Sequence, residues 1–219
     1  AAGSMIDYGT PKTLDPTNTA LTVSAWCISE KKAGGVVMAH GGPLNGYALT
    51  IAKGLPTFMV RSEEKLASVK GKRKITNKWV HLAGVLTKDK KMRLYVDGAL
   101  VGEAMAPGLV AKTPVQGLQI GADAGTSVGE YATPFAFKGV VDEVRVYHRA
   151  LNEQEMEKLA DWGNEPKDKS LVLYSGFEKG KAIDDSGNKH SGKLSGVNIV
   201  RAKTGQAIHF SGRSTPGGG

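Results

Sequence analysis

A strand that runs straight into a capped helix, over residues 137–159, constrains this chain more than any other stretch. In Val140-Val141-Asp142-Glu143-Val144-Arg145-Val146-Tyr147 the apolar Val144 and Val146 alternate with Glu143, Arg145 and Tyr147. A period of two marks a strand with one face in a core, as antiparallel sheets require. Asn152 then offers a side-chain oxygen to the free N–H groups of a helix start. Glu155, three residues on, completes a capping box, and Leu151 and Met156 flank it as a hydrophobic staple. The pattern predicts a short helix near residues 152–161.

The rest of the chain reads as strands and turns. Its 219 residues suffice for one large all-β domain or two small ones, and the 29 glycines suit many tight connections. Strands are expected at residues 21–28, 36–40, 47–52, 57–61, 79–85, 93–96 and 117–121, with residues 6–20 as an approaching loop. Asp97-Gly98 is the dipeptide of a two-residue hairpin turn. Residues 65–78 form a basic stretch with Lys70, Lys72, Arg73 and Lys74. The long loop over residues 122–135 carries Asp123, Glu130, Tyr131 and Phe135, and such loops are where binding groups gather.

Several functional classes are disfavoured at once. No apolar run is long enough to span a membrane. Cys27 is the only cysteine and sits in an apolar run, so it reads as a buried thiol. The net charge of +8 favours anionic partners. Nucleic acid is not among those expected, because the basic residues lie in hairpin loops without interleaved aromatics. Residues 1–5 read as a cleavage or cloning remnant and residues 213–219 as a flexible tail.

Strand 140–147, followed by Arg149-Ala150-Leu151 and the capped helix, resembles the last strand and terminal helix of laminin G-like domains in the concanavalin A-like lectin/glucanase superfamily. Thr22-Val23-Ser24-Ala25-Trp26, Trp79-Val80-His81-Leu82-Ala83, Leu94-Tyr95-Val96-Asp97-Gly98 and Leu118-Gln119-Ile120-Gly121 resemble further strands of that family. Trp26 and His81 then read as structural side chains. The resemblance implies an all-β, two-sheet antiparallel jelly-roll sandwich.

After a polar linker over residues 164–169, residues 171–178, 185–192 and 205–212 resemble the strands and loop that normally open the domain. Either residues 170–212 complete the sandwich begun by residues 6–163, in circularly permuted order, or they begin a second domain. Burial favours the first reading, since about forty residues of isolated strand cannot form a core.

Glycosidases of the superfamily carry paired carboxylates on one strand face. No such spacing occurs here: Glu63-Glu64 and Asp142-Glu143 are adjacent and would point to opposite faces. The five histidines lack metal-ligand spacing. The chain is therefore read as non-catalytic.

The resemblance does imply a structural calcium ion, with Asp142, Glu178, Asp184 and Asp185 as its ligands. It also implies sugar binding on a sheet face or on loops at one end, with His40, Asn45, Tyr47, Arg61, Tyr131 and Phe135 as candidates. The leading expectation is an extracellular carbohydrate-binding module, part of a larger protein, with anionic polysaccharide among its ligands. The alternatives are a protein–protein adhesion or assembly module and, less so, a hydrolase or lyase with a divergent site.

Overall fold

A computed structural model describes residues 3–30, 33–162 and 166–212 of the chain. Strands β1 (Met5–Asp7), β2 (Leu21–Ser29), β3 (Gly35–Gly41), β4 (Gly46–Ala52), β5 (Leu55–Ser62) and β6 (Lys65–Lys70) come first. They are followed by β7 (Val80–Leu86), β8 (Lys91–Val96), β9 (Ala99–Met105), β10 (Leu118–Ile120) and β11 (Lys138–Tyr147). Helix α1 (Glu153–Leu159) precedes β12 (Leu171–Ser175), β13 (Ala182–Ile183), β14 (Ser191–Ser195), β15 (Val197–Arg201) and β16 (Gln206–Ser211).

Every pairing is antiparallel, in two sheets. The first runs β13-β14-β1-β10-β3-β4-β5-β6 and the second β15-β16-β11-β2-β7-β8-β9. β11 is the hinge of the second sheet. Along one side it pairs with β2; along the other its first half takes β16 and its second half takes β12. Residues 171–211 thus contribute strands to both sheets, with β14 against β1 in the first.

The core lies between the sheets, where alternate residues point inward. Val23, Ala25 and Cys27 of β2 meet Leu49 and Ile51 of β4 and Phe58 and Val60 of β5 in one buried cluster, which Ile208 and Phe210 of β16 complete. Burying a side chain of this size contributes about 1.5–3 kcal/mol. The sheets come close enough at β7 that a Cβ on Gly84 would lie 2.3 Å from Phe58 Cδ2, so only glycine fits there.

Helix α1 covers the outer face of the second sheet. Leu151, Met156 and Leu159 pack on Ala83, Val85, Tyr95, Tyr147 and Leu171. Its capping box is formed as the spacing predicts: Asn152 Oδ1 accepts the Glu155 N–H, and Glu155 Oε2 accepts the Asn152 N–H. Thr22 ties the helix entry to the sheet, donating to Arg149 O and accepting the Leu151 N–H. Arg149 in turn bridges Glu155 and Asp168 at 2.7 Å each.

Some expectations need correction. The folded body starts earlier than residue 6: Met5 pairs with Ser195, and Ser4 Oγ accepts the Ser211 N–H. Residues 6–20 are not all loop, since Ile6 and Asp7 lie in β1. The basic stretch 65–78 is half strand, because β6 pairs with β5 from Lys65 to Lys70. Residues 1–2, the 163–165 part of the linker region and the tail 213–219 lie outside the described residues.

Candidate functional site

The outer face of the first sheet is the natural place to look for a ligand surface. Asp7, Gln119, Ala39, Ala48, Met59 and Ser68 form one row across β1, β10, β3, β4, β5 and β6. The middle of that row is small, and the connection between β10 and β11 folds down onto it. Val128 is fully buried against Val36, Ala39 and Ala48, with Met59, Tyr131 and Phe135 packed around it.

Three expected ligand residues meet here, and their polar groups serve the loop. Arg61 Nε donates to Val128 O at 2.6 Å and Arg61 Nη1 to Glu64 O at 2.7 Å. Tyr131 Oη donates to Asp123 Oδ2 at 2.6 Å, and the same oxygen accepts the Val128 N–H. The rings of Tyr131 and Phe135 lie 5.2 Å apart. Gln119 Oε1 fixes the loop's start by accepting the Ala124 N–H.

The other three candidates lie together near the β3–β4 turn, yet each is buried in a structural place. Tyr47 is a core side chain, 1% exposed. Asn45 holds two loops together, its Oδ1 accepting the N–H groups of Glu63 and Ala111. His40 is buried at the end of β3, its ring 5.6 Å from Tyr47. Burial drives its pKa down to about 4, so the imidazole is neutral.

The four carboxylates named for calcium are not brought together. Asp184 is spent on its own turn: Oδ1 accepts the Tyr174 and Ser186 N–H groups, and Oδ2 accepts Ser186 Oγ and the His190 N–H. Asp185 lines a surface pocket with Lys167, Lys169 and Ser186. Asp142 is buried and accepts the Glu143 N–H. Burial above all, then the charges of Glu143 and Glu178, push its pKa up to about 8. Among the described residues no three His, Cys, Asp or Glu side chains form a group that could hold a metal ion. Of the four, only Asp142 and Glu178 are seen to sense each other's charge, while Asp184 serves its own turn and Asp185 faces a surface pocket.

Glu143 has a structural task instead. At the β11 bulge it takes a left-handed conformation with φ of 53°. This turns its carboxylate onto the buried Arg145 guanidinium, which also lies 4.3 Å from the centre of the Tyr174 ring. Tyr174 Oη donates to Glu143 Oε1 at 3.0 Å. A buried ion pair of this kind is tolerated because each charge is hydrogen-bonded.

Another assembly is a groove of about 450 Å³ at the end of the sandwich where β4 turns into β5. The segment after β6 supplies Lys72, Arg73, Lys74 and Lys78, while Pro56, Ile75, Val96 and Val101 give an apolar lining. Lys72, Arg73, Lys74 and Lys78 are exposed. Among the described residues none of these four cations makes an ion pair. The one acid, Asp97, accepts the His81 N–H through Oδ1 at 2.9 Å. The sequence exposes the basic run; it does not reveal that the β8–β9 hairpin folds back to form the opposite wall, because that contact joins distant segments.

Comparison with known proteins agrees with this architecture. Residues 4–157 match the laminin G-like family model described as the concanavalin A-like lectin/glucanases superfamily. No curated protein sequence matches the chain. Among solved structures, a heptameric SAP-like pentraxin from Limulus polyphemus is 15% identical, with a TM-score of 0.57 over 96% of both chains. A protein from Bacteroides ovatus described as carbohydrate-binding is 18% identical with a TM-score of 0.63; the match covers 98% of this chain and 62% of that one. The CBM40 module of a Ruminococcus gnavus sialidase, bound to α2,3-sialyllactose, is 13% identical with a TM-score of 0.55, covering 73% of this chain and 95% of the module. At these identities the likeness is one of fold. With the family match spanning most of its length, the chain belongs to the laminin G-like family of the concanavalin A-like lectin/glucanases superfamily.

Proposed function

We propose that this chain is a non-catalytic, extracellular carbohydrate-binding module that holds an anionic polysaccharide in the groove between residues 71–78 and the β8–β9 hairpin. The observation that carries the reading is the set of cations Lys72, Arg73, Lys74 and Lys78, none of them in an ion pair among the described residues, around an apolar lining. Lysines act as point charges toward carboxylate or sulfate, and Arg73 can take either in a two-pronged fork. Val96, Val101 and Ile75 offer apolar contact to the C–H face of a sugar ring. The carbohydrate-binding relatives of the same fold add support.

The test is a binding panel of sulfated, carboxylated and neutral polysaccharides at low and high salt. It is run with calcium and with a chelator, because Asp142 and Glu178 are the two expected ligands that sense each other's charge. One anionic class should bind at physiological salt, and replacing Lys72, Arg73 and Lys74 together by alanine should weaken it at least tenfold, about 1.4 kcal/mol. Binding that disappears with salt for every anion alike would reduce the groove to unspecific charge attraction and defeat the proposal. Release of reducing ends from the bound polysaccharide would show catalysis and defeat its non-catalytic part.

A further inference from the structure

The opposite end of β4 carries a second concavity. Tyr47, near the start of that strand, pairs with His40, whereas Pro56 of the basic groove pairs with Ile51 near its far end. A strand of this length spans about 20 Å. Around His40, a cavity of about 310 Å³ is lined by Thr10, Lys12, Asp15, Thr113 and Pro114. That volume lies at the small end of the range of about 300–1,000 Å³ for small-molecule pockets, the size for one sugar ring.

Two observations mark this as more than a surface dimple. His40 is 2% exposed, and its Nδ1 is buried without a hydrogen-bond partner. Buried polar atoms are almost always paired. The pocket's carboxylate is also firmly placed: Asp15 Oδ2 accepts Thr113 Oγ1 at 2.7 Å, and Oδ1 accepts the Thr17 N–H at 3.0 Å. Burial works against its ionisation, yet the hydrogen bonds from Thr113 and Thr17 hold its pKa below the usual value.

We propose that this pocket binds a single neutral sugar ring, separately from the anionic chain in the groove. Lys12 and Asp15 cancel in net charge, so nothing favours a charged ligand. The Asp15 carboxylate can accept a hydroxyl donor beyond the Thr17 and Thr113 groups it already holds, and the neutral His40 ring can offer only Nε2, because Nδ1 is buried. The Thr10 hydroxyl adds a group of either sense, and the Thr113 hydroxyl, its proton given to Asp15, adds an acceptor. That mixture matches the vicinal hydroxyls of a pyranose, which give and take hydrogen bonds side by side. A sulfate or carboxylate sugar would meet the Asp15 charge. The pocket stands on its own residues, so it survives or fails independently of the groove.

The probes are the methyl glycosides of glucose, galactose and mannose, with methyl glucuronide as the charged comparator, titrated into the 15N-labelled chain and followed by NMR. At least one neutral glycoside should shift the amides of Asp15, His40 and Thr113 saturably. His40→Phe keeps a flat ring against Tyr47, so it should stay folded in a thermal melt while weakening that binding about tenfold. Asp15→Asn should weaken it severalfold, and Lys72→Ala with Lys74→Ala should leave it unchanged. The absence of shifts with all three neutral glycosides would overturn the proposal. So would tighter binding of methyl glucuronide, or affinity that both His40→Phe and Asp15→Asn leave intact.

Discussion

His81 is wholly buried on the outer face of the second sheet, its ring 5.5 Å from Trp26, and burial together with the nearby Arg145 charge holds its pKa down at about 3. His40 is held at about 4 by burial, while Asp142 is raised to about 8. The three act on stability with opposite sign. A histidine whose folded pKa lies below its unfolded value of about 6.5 costs stability as the pH falls beneath 6.5. A carboxyl raised in the fold stabilises while protonated, and that stability drains away as the pH climbs from about 4 toward 8. Between about pH 6.5 and 8 only Asp142 of these three is titrating. Thermal melts across that interval should show the wild type losing stability as pH rises, with the slope flattened in Asp142→Asn; an unchanged slope would contradict the assignment. The structural role of His81 was legible from its place in the strand motif around Trp79. The behaviour of Asp142 was not, because it follows first from burial, which packing against distant segments creates, with the charges of Glu143 and Glu178 adding to it.

At the scale of single elements, helix α1 is the clearest case of local sequence dictating structure. Asn152, Glu155, Leu151 and Met156 announce the cap, the box and the staple, and all four take those places. Asn152→Ala removes the acceptor for the Glu155 N–H and should cost about 1 kcal/mol in denaturant unfolding. Helix content at the temperature of the assay should otherwise persist, because Met156 and Leu159 remain buried. Strands were legible where one face is apolar, as in β2, β4 and β7. They were not where charge hides the alternation. In β6, Lys65 and Lys70 flank a strand of which only Val69 is fully buried, and the segment reads as basic loop. β14 and β15 are polar on their exposed faces and give too weak a period to be seen alone. Their place comes from partners, Met5–Asp7 for β14 and Gln206–Phe210 for β15.

Across the whole molecule, the two proposed binding regions lie at opposite ends of β4, and the outer face of the first sheet between them is covered by the β10–β11 connection. Tyr131 and Phe135 were candidates from sequence because they lie on that long loop, and Arg61 because its guanidinium can grip carboxylate or sulfate. The structure employs Arg61 and Tyr131 as its fastenings, and only three-dimensional packing could reveal that Val128 would seat on Ala39 and Ala48. Basic residues were legible as a run, whereas the walls of both concavities come from segments far apart in the chain.

The hydrogen bond from Ser211 N to Ser4 Oγ has one more consequence. It places the two extremities of the described fold at a common seam, so the order in which the strands are threaded is decoupled from their arrangement in space. A chain rejoined across that seam by a short glycine-rich bridge and reopened between Trp162 and Pro166 would begin with β12. It should reach the same pairings and melt cooperatively as a monomer. If that reordered chain melts without cooperativity, continuity between α1 and β12 is needed for assembly, and the seam is only a chance meeting of two ends.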